Sequence, residues 1–107
     1  MKKISYCILM QKYVDGVKRK YKERVVGYQV DGLTAVHKDG FGSWYLDDLK
    51  TGRKLNGPGT SVRKYILDFY KEHQEEIDNA RNGSNYPGYC KQFDLVSEPE
   101  QERETAI

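Results

Sequence analysis

The residues that most often do chemistry are scarce in this chain. It has two histidines, His37 and His73, two cysteines, Cys7 and Cys90, and one tryptophan in 107 residues. No C-x-x-C or H-x-x-x-H spacing suggests that the cysteines and histidines meet at a zinc ion. No metal and no cofactor is therefore expected. Asp47 and Asp48 are neighbours, so in a strand they point to opposite faces and cannot act as a paired acid and base. These absences argue against an enzyme. Two cysteines permit one disulfide, but free thiols in a reducing compartment are the simpler expectation. No apolar run approaches the roughly 20 residues of a membrane helix. Residues 1–10 imitate a signal peptide, yet Ser5, Tyr6 and Cys7 interrupt the apolar run and no small-residue cleavage site follows. The expectation is a cytoplasmic protein with no membrane partner.

What is present is polar and lopsided. The net charge of only +2 conceals a basic front: Lys2, Lys3, Lys12, Lys18, Arg19, Lys20, Lys22 and Arg24 face only Asp15 and Glu23. After residue 90 the sign reverses, with Asp94, Glu98, Glu100, Glu102 and Glu104 against Lys91 and Arg103. A hydrophobic fraction of 37% and a charged fraction of 32% suit one small globular domain. We expect that domain over residues 1–96. Residues 97–107 hold almost nothing to bury and are expected to form a disordered acidic tail.

Alternation at period two marks residues 4–10 as a first strand. Asp15-Gly16 is a strong hairpin signal, and a two-residue turn sets Met10 opposite Tyr21 and Val14 opposite Val17. A second strand over residues 19–30 follows. Asp31-Gly32 then pairs Val30 with Leu33 and Tyr28 with Ala35, and opens a third strand over residues 33–38. Asp39-Gly40 leads to a fourth over residues 43–49, with Trp44 and Leu46 on one face and Tyr45 on the other. Thr51-Gly52 turns into a short strand ending at Leu55. Residues 60–80 carry apolar side chains at helical spacing (Val62, Tyr65, Ile66, Phe69, His73, Ile77, Ala80), with Thr60 or Ser61 as the cap and Gly83 as the stop. Residues 82–88 read as a loop and residues 91–96 as a last edge strand. The predicted class is α+β: an antiparallel four- to five-stranded β-meander with one amphipathic helix packed on one face. The helix is expected to cover Ile4, Tyr6, Ile8, Met10, Val26, Tyr28, Leu33, Ala35, Trp44 and Leu46. The other face is left to Leu9, Lys20, Lys22, Gln29, Thr34, Val36 and Tyr45, and a one-residue bulge near Gly27 would exchange faces downstream.

Two features suggest binding. Lys18, Lys20, Lys22 and Arg24 fall on one side of a ribbon, with Arg19 and Tyr21 on the other. Such a row can track phosphates, meet an acidic protein, or simply protect an edge strand. Nine tyrosines offer large contact area at low entropic cost, and Tyr21, Tyr45 and Tyr70 are candidate anchors. The glycine-rich stretch 56–61 before Arg63 and Lys64 lacks the Gly-Lys-Ser/Thr ending of a phosphate loop and reads as a plain helix start.

The segment Phe41-Gly-Ser-Trp44-Tyr-Leu-Asp-Asp-Leu49, then Lys50-Thr51-Gly52-Arg53-Lys54-Leu55, leads into the helix. It resembles the strand–turn–strand–helix units of small proteins carried by phages and plasmids. In size, tyrosine content and charge the chain is similar to mobile-element inhibitors of host defence, the anti-CRISPR proteins among them. The resemblance implies an inhibitor or adaptor that docks on a host protein or nucleoprotein, and it transfers no site residues. The competing expectation is direct DNA or RNA binding through the basic hairpin.

Overall fold

A computed structural model of the chain describes residues 1–98. β1 (Lys2–Val14), β2 (Val17–Asp31), β3 (Thr34–Lys38) and β4 (Trp44–Asp48) precede α1 (Arg63–Glu72), α2 (Gln74–Arg81) and α3 (Tyr86–Asp94). The strands form one antiparallel sheet in chain order. The expected α+β meander is present with four strands. Among the described residues it carries three helices rather than the one expected.

The first hairpin follows the sequence closely. Asp15 and Gly16 both take positive φ, 52° and 78°, which matches the twist of the flanking strands. Met10 faces Tyr21 and Val14 faces Val17. The second hairpin departs from expectation. Gln29 pairs with Ala35 but Asp31 pairs with Thr34, so Val30 is an extra residue in β2. Asp31 stays in the strand because its side chain is committed there. Its Oδ1 accepts the Leu33 amide at 2.8 Å and its Oδ2 accepts the Tyr70 hydroxyl. The extra residue shifts β3 by one position against the expected pairing, while Trp44 and Leu46 of β4 keep the expected face. Val36, not Ala35, consequently turns toward α1 and α2.

Both faces of the sheet are buried in part. Val36, Leu46, Ile66 and Ile77 form one core, bordered by Tyr28, Val30, Trp44, Leu55 and Phe69. Tyr6, Ile8 and Ala35 form a second, bordered by Ile4, Met10, Val25 and Leu49. The β1 residues expected beneath the helix belong to this second core, and Val26 is exposed. The second core exists because the sheet curls. A Cβ on Gly27 would lie 2.2 Å from the Val36 carbonyl oxygen, so only glycine permits the bend. The curl carries the outer edge of β1 to the turn after β4, where the Leu9 amide donates to the Gly52 carbonyl at 2.9 Å. Residues 52–55 act as a rudimentary fifth strand. Lys54 bridges to Asp47, the Asp48 amide donates to the Arg53 carbonyl at 2.9 Å, and the Leu55 amide donates to the Leu46 carbonyl at 2.7 Å.

The expected long helix is two. Thr60 does not cap it, because its backbone pairs with Trp44 in both directions. The N-cap is Val62, without a side-chain hydrogen bond. His73, at φ −114° and ψ 25°, separates α1 from α2. Its ring stacks on Phe69 at 4.0 Å, and its Nδ1, 2.9 Å from the Phe69 carbonyl oxygen, shares that acceptor with the His73 amide at 3.0 Å. Phe69 is only half-buried as a result of lying beside this break. Gly83 keeps negative φ and supplies no left-handed stop.

The third helix replaces both the expected loop and the expected edge strand. Pro87 lies in its first turn, where a missing N–H costs nothing. Tyr86, Cys90 and Phe93 recur at four and three residues and face inward, whereas Leu95, the other half of the strand reading, is exposed. Asp48 ties the helices to the sheet. It accepts hydrogen bonds from Arg81 Nε at 2.8 Å, the Tyr86 hydroxyl at 3.0 Å, and the Thr51 amide and hydroxyl at 2.9 and 2.8 Å.

Candidate functional site: the free end of a β-ribbon

The β1–β2 ribbon outruns the rest of the sheet. It is clamped at the level of Leu9 and Lys22. On one edge Leu9 meets Gly52; on the other the Lys22 amide donates to the Ser97 carbonyl at 3.1 Å. Between these points the ribbon is crossed by the end of α3, with the Lys22 ammonium 4.7 Å from the centre of the Phe93 ring. Beyond the clamp no described residue covers it, and residues 11–20 are all exposed. Five residues from Leu9 to the turn, at about 3.3 Å each, give a free arm of about 17 Å.

The register sorts the cations as the sequence suggests. Lys18, Lys20, Lys22 and Arg24 oppose Tyr13, Gln11, Leu9 and Cys7 on one face. Arg19 and Tyr21 lie on the other face with Lys12 and Met10, and the Lys12 ammonium sits 5.0 Å from the Tyr21 ring centre. At the tip, Tyr13 is 71% exposed, Val17 53% and Val14 42%.

The eight candidate residues do not make one surface. Lys18, Arg19 and Lys20 lie on the free arm, with Tyr21 at its root. Lys22 is held at the clamp. Arg24 pairs with Glu98 at 3.0 Å, and the Cys7 thiol donates to the same carboxylate at 3.3 Å. Burial, then the Glu98 contact, raises the Cys7 thiol above its ordinary pKa. Of the acidic tail, Ser97 and Glu98 therefore contact the basic strand, while Glu100, Glu102 and Glu104 lie outside the described residues. Tyr45 stacks on His37 with centroids 5.7 Å apart and carries the Lys54 ammonium on its ring. Tyr70 packs on the opposite face of the sheet, its hydroxyl donating to Asp31.

One buried polar cluster escaped the sequence. The Tyr6 hydroxyl donates to Asp47 Oδ2 at 2.6 Å, and His37 Nδ1 lies 2.5 Å from the same oxygen. Burial first, and then the Asp47 charge, pushes the Tyr6 hydroxyl far above its ordinary pKa. The cluster is sealed inside the curled sheet, with Asp47 wholly buried. It can orient β1 against β4 but offers no access to a substrate. Asp47 and Asp48 do point to opposite faces, each into its own network. Among the described residues, no group of three or more His, Cys, Asp or Glu is placed to hold a metal. Nor, among those residues, is any helix long and apolar enough to cross a membrane.

No protein-family model matches the chain, and no curated protein or solved structure matches it. The sequence missed the tip as a site, although one signal was available. Val14 and Val17 flank a two-residue turn at the far end of a charged ribbon, where no core can reach them.

Proposed function

We propose that this protein is a non-enzymatic binding module, an inhibitor or adaptor that docks on a host protein or nucleoprotein through the free end of its β1–β2 ribbon. The observation that carries this reading is the exposure of Tyr13, Val14 and Val17 together at the tip, flanked by Lys12, Lys18, Arg19 and Lys20. An aromatic and aliphatic tip ringed by cations suits an apolar pocket with an acidic rim. Among the described residues, the arm from position 11 to position 20 is exposed throughout and adds nothing to either core. The resemblance to mobile-element inhibitors supports a host target. The two free thiols, Cys7 and Cys90, agree with a cytoplasmic setting.

The second reading, direct DNA or RNA binding, is favoured by Lys18, Lys20 and Lys22 on one face of the ribbon. It has to leave the apolar tip unused and work with a net charge of only +2. A gel shift decides between the two. At about 150 mM salt, free duplex or single strand should not be retarded by submicromolar protein. Retardation that is abolished by replacing Lys18, Lys20 and Lys22 with serine would establish the second reading instead.

A further inference from the structure

The curled sheet does not quite close, and the opening is shaped for another strand. From the Leu9–Gly52 contact, β1 and residues 52–55 run in the same direction, because each is separated from its neighbours by antiparallel pairings. They then splay apart. The wedge between them has a volume of about 400 Å³ and is lined by Leu9, Met10, Gln11, Lys20, Arg53 and Lys54. Among the described residues, no carboxylate lines it.

The β1 side of the wedge is an unpaired strand edge. Since the Leu9 amide points away from β2, the N–H and C=O groups of Gln11 and Tyr13 point the same way. Among the described residues, Leu9 is the only β1 residue whose amide is bonded across that edge. The opposite side supplies positioned charge. The Arg53 guanidinium lies 3.9 Å from the Tyr89 ring centre and donates to Gln92 Oε1 at 3.2 Å. The Lys54 ammonium lies 3.9 Å from the Tyr45 ring centre. Both cations are held before any ligand arrives, so less freedom is lost on binding.

We propose that this wedge is a β-addition site that takes an extended, acidic polypeptide segment of a partner. The edge offers donors and acceptors alternately, and only another peptide backbone answers both. A DNA backbone brings acceptors alone, and the 2′-hydroxyls of RNA do not repeat at strand spacing, so either leaves the strand's carbonyls unpaired. Leu9 and Met10 provide apolar contact for alternate side chains, while Lys20, Arg53 and Lys54 select carboxylates over ammonium groups. The site lies at the root of the arm and goes beyond the tip contact, on which it does not depend.

The test uses the full chain and a short labelled peptide alternating glutamate and valine, read by fluorescence polarisation. The acidic peptide should bind, and its lysine–valine counterpart should bind at least about tenfold more weakly. Peptide N-methylated at alternate amides should lose binding. Gln11→Pro, which removes one outward N–H from an edge strand that tolerates proline, should weaken binding about fivefold. Lys20→Glu with Lys54→Glu should weaken it at least about tenfold and serves if the proline variant fails to fold. Val17→Ser, altered only at the tip, should bind as the wild type does, which separates failure of this site from failure of the tip. Equal affinity for the acidic and basic peptides, indifference to N-methylation, or displacement of the acidic peptide by an oligonucleotide at lower concentration would overturn the proposal.

Discussion

Replacing Asp48 with alanine should be among the most damaging single changes in the chain. Asp48 is 1% exposed and, among the described residues, is the only carboxylate bonded to the Arg81 guanidinium, at 2.8 Å. Its removal leaves a cation whose side chain is only 12% exposed without its counter-charge. Breaking a buried pair from one side costs about 3–5 kcal/mol. Arg81 keeps the Leu33 carbonyl at 3.0 Å and the Thr34 hydroxyl at 2.8 Å, which offsets part of that. The Thr51 amide and hydroxyl and the Tyr86 hydroxyl, however, lose an acceptor at the same time. A net loss of about 3–4 kcal/mol follows, a large share of the 5–15 kcal/mol typical of a whole domain. Urea unfolding followed by far-ultraviolet circular dichroism measures it directly. Asp48→Ala combined with Arg81→Met should recover part of the loss, because no unpaired charge remains. A single-variant loss below about 1 kcal/mol would show that Asp48 does not join the helices to the sheet.

Gly27→Ala should destabilise the chain by about 1–3 kcal/mol, since its Cβ would meet the Val36 carbonyl oxygen at 2.2 Å; an unchanged melting temperature would mean that the sheet does not bend there. For acid, burial raises Asp31, but the Tyr70 hydroxyl, the Leu33 amide, Thr34 and the Arg81 charge outweigh it and hold the carboxyl below its ordinary 3.8. Its folded pKa is depressed, so its contribution is complete above the unfolded value and is lost as pH falls below about 4. Asp31→Asn, which keeps one of the two acceptor oxygens and cannot titrate, should lower stability at neutral pH and flatten the acid limb of a pH–stability curve. In base the sign reverses: burial raises Tyr6, Tyr70 and Tyr86. Their contribution is complete below pH 10 and is lost above it. Tyrosinate absorbance should therefore rise in two stages, the second coinciding with unfolding.

The parts of the fold that could be read in advance are those set by neighbours in sequence. Asp15-Gly16 demanded positive φ at two residues, and only one register then brought Val14 to Val17. The parts that could not be read were settled by distant groups. Val30 became a bulge because Asp31 is held by Tyr70 from α1, some forty positions away, and that one residue moved Val36 and Ala35 to the faces opposite those expected. His73 fitted the helical stripe by spacing, yet its backbone departs from helical angles where its ring stacks on Phe69, and the helix divides there. Phe93 and Leu95 alternate as a strand would, but Pro87 and the burial of Phe93 against Gly52 decide for a helix. For the candidate site, the cations of the ribbon were legible because alternation fixes their faces. The free length of the arm was not, since it depends on where Gly52 and Ser97 meet it. The wedge beside Arg53 and Lys54 was invisible for the same reason: it is a gap between segments more than forty residues apart.

Docking through the tip of the ribbon would bring position 13 against the partner. A photo-crosslinking amino acid at position 13, in the full chain added to nuclease-treated bacterial lysate, tests it most directly. The control carries the same group at position 65, on α1, where Tyr65 is also exposed. A discrete crosslinked protein is expected from position 13 and none of that species from position 65, with the product lost when Val14 and Val17 are changed to serine. The same species from position 65, or a product from position 13 that survives the serine changes, would contradict docking through the tip.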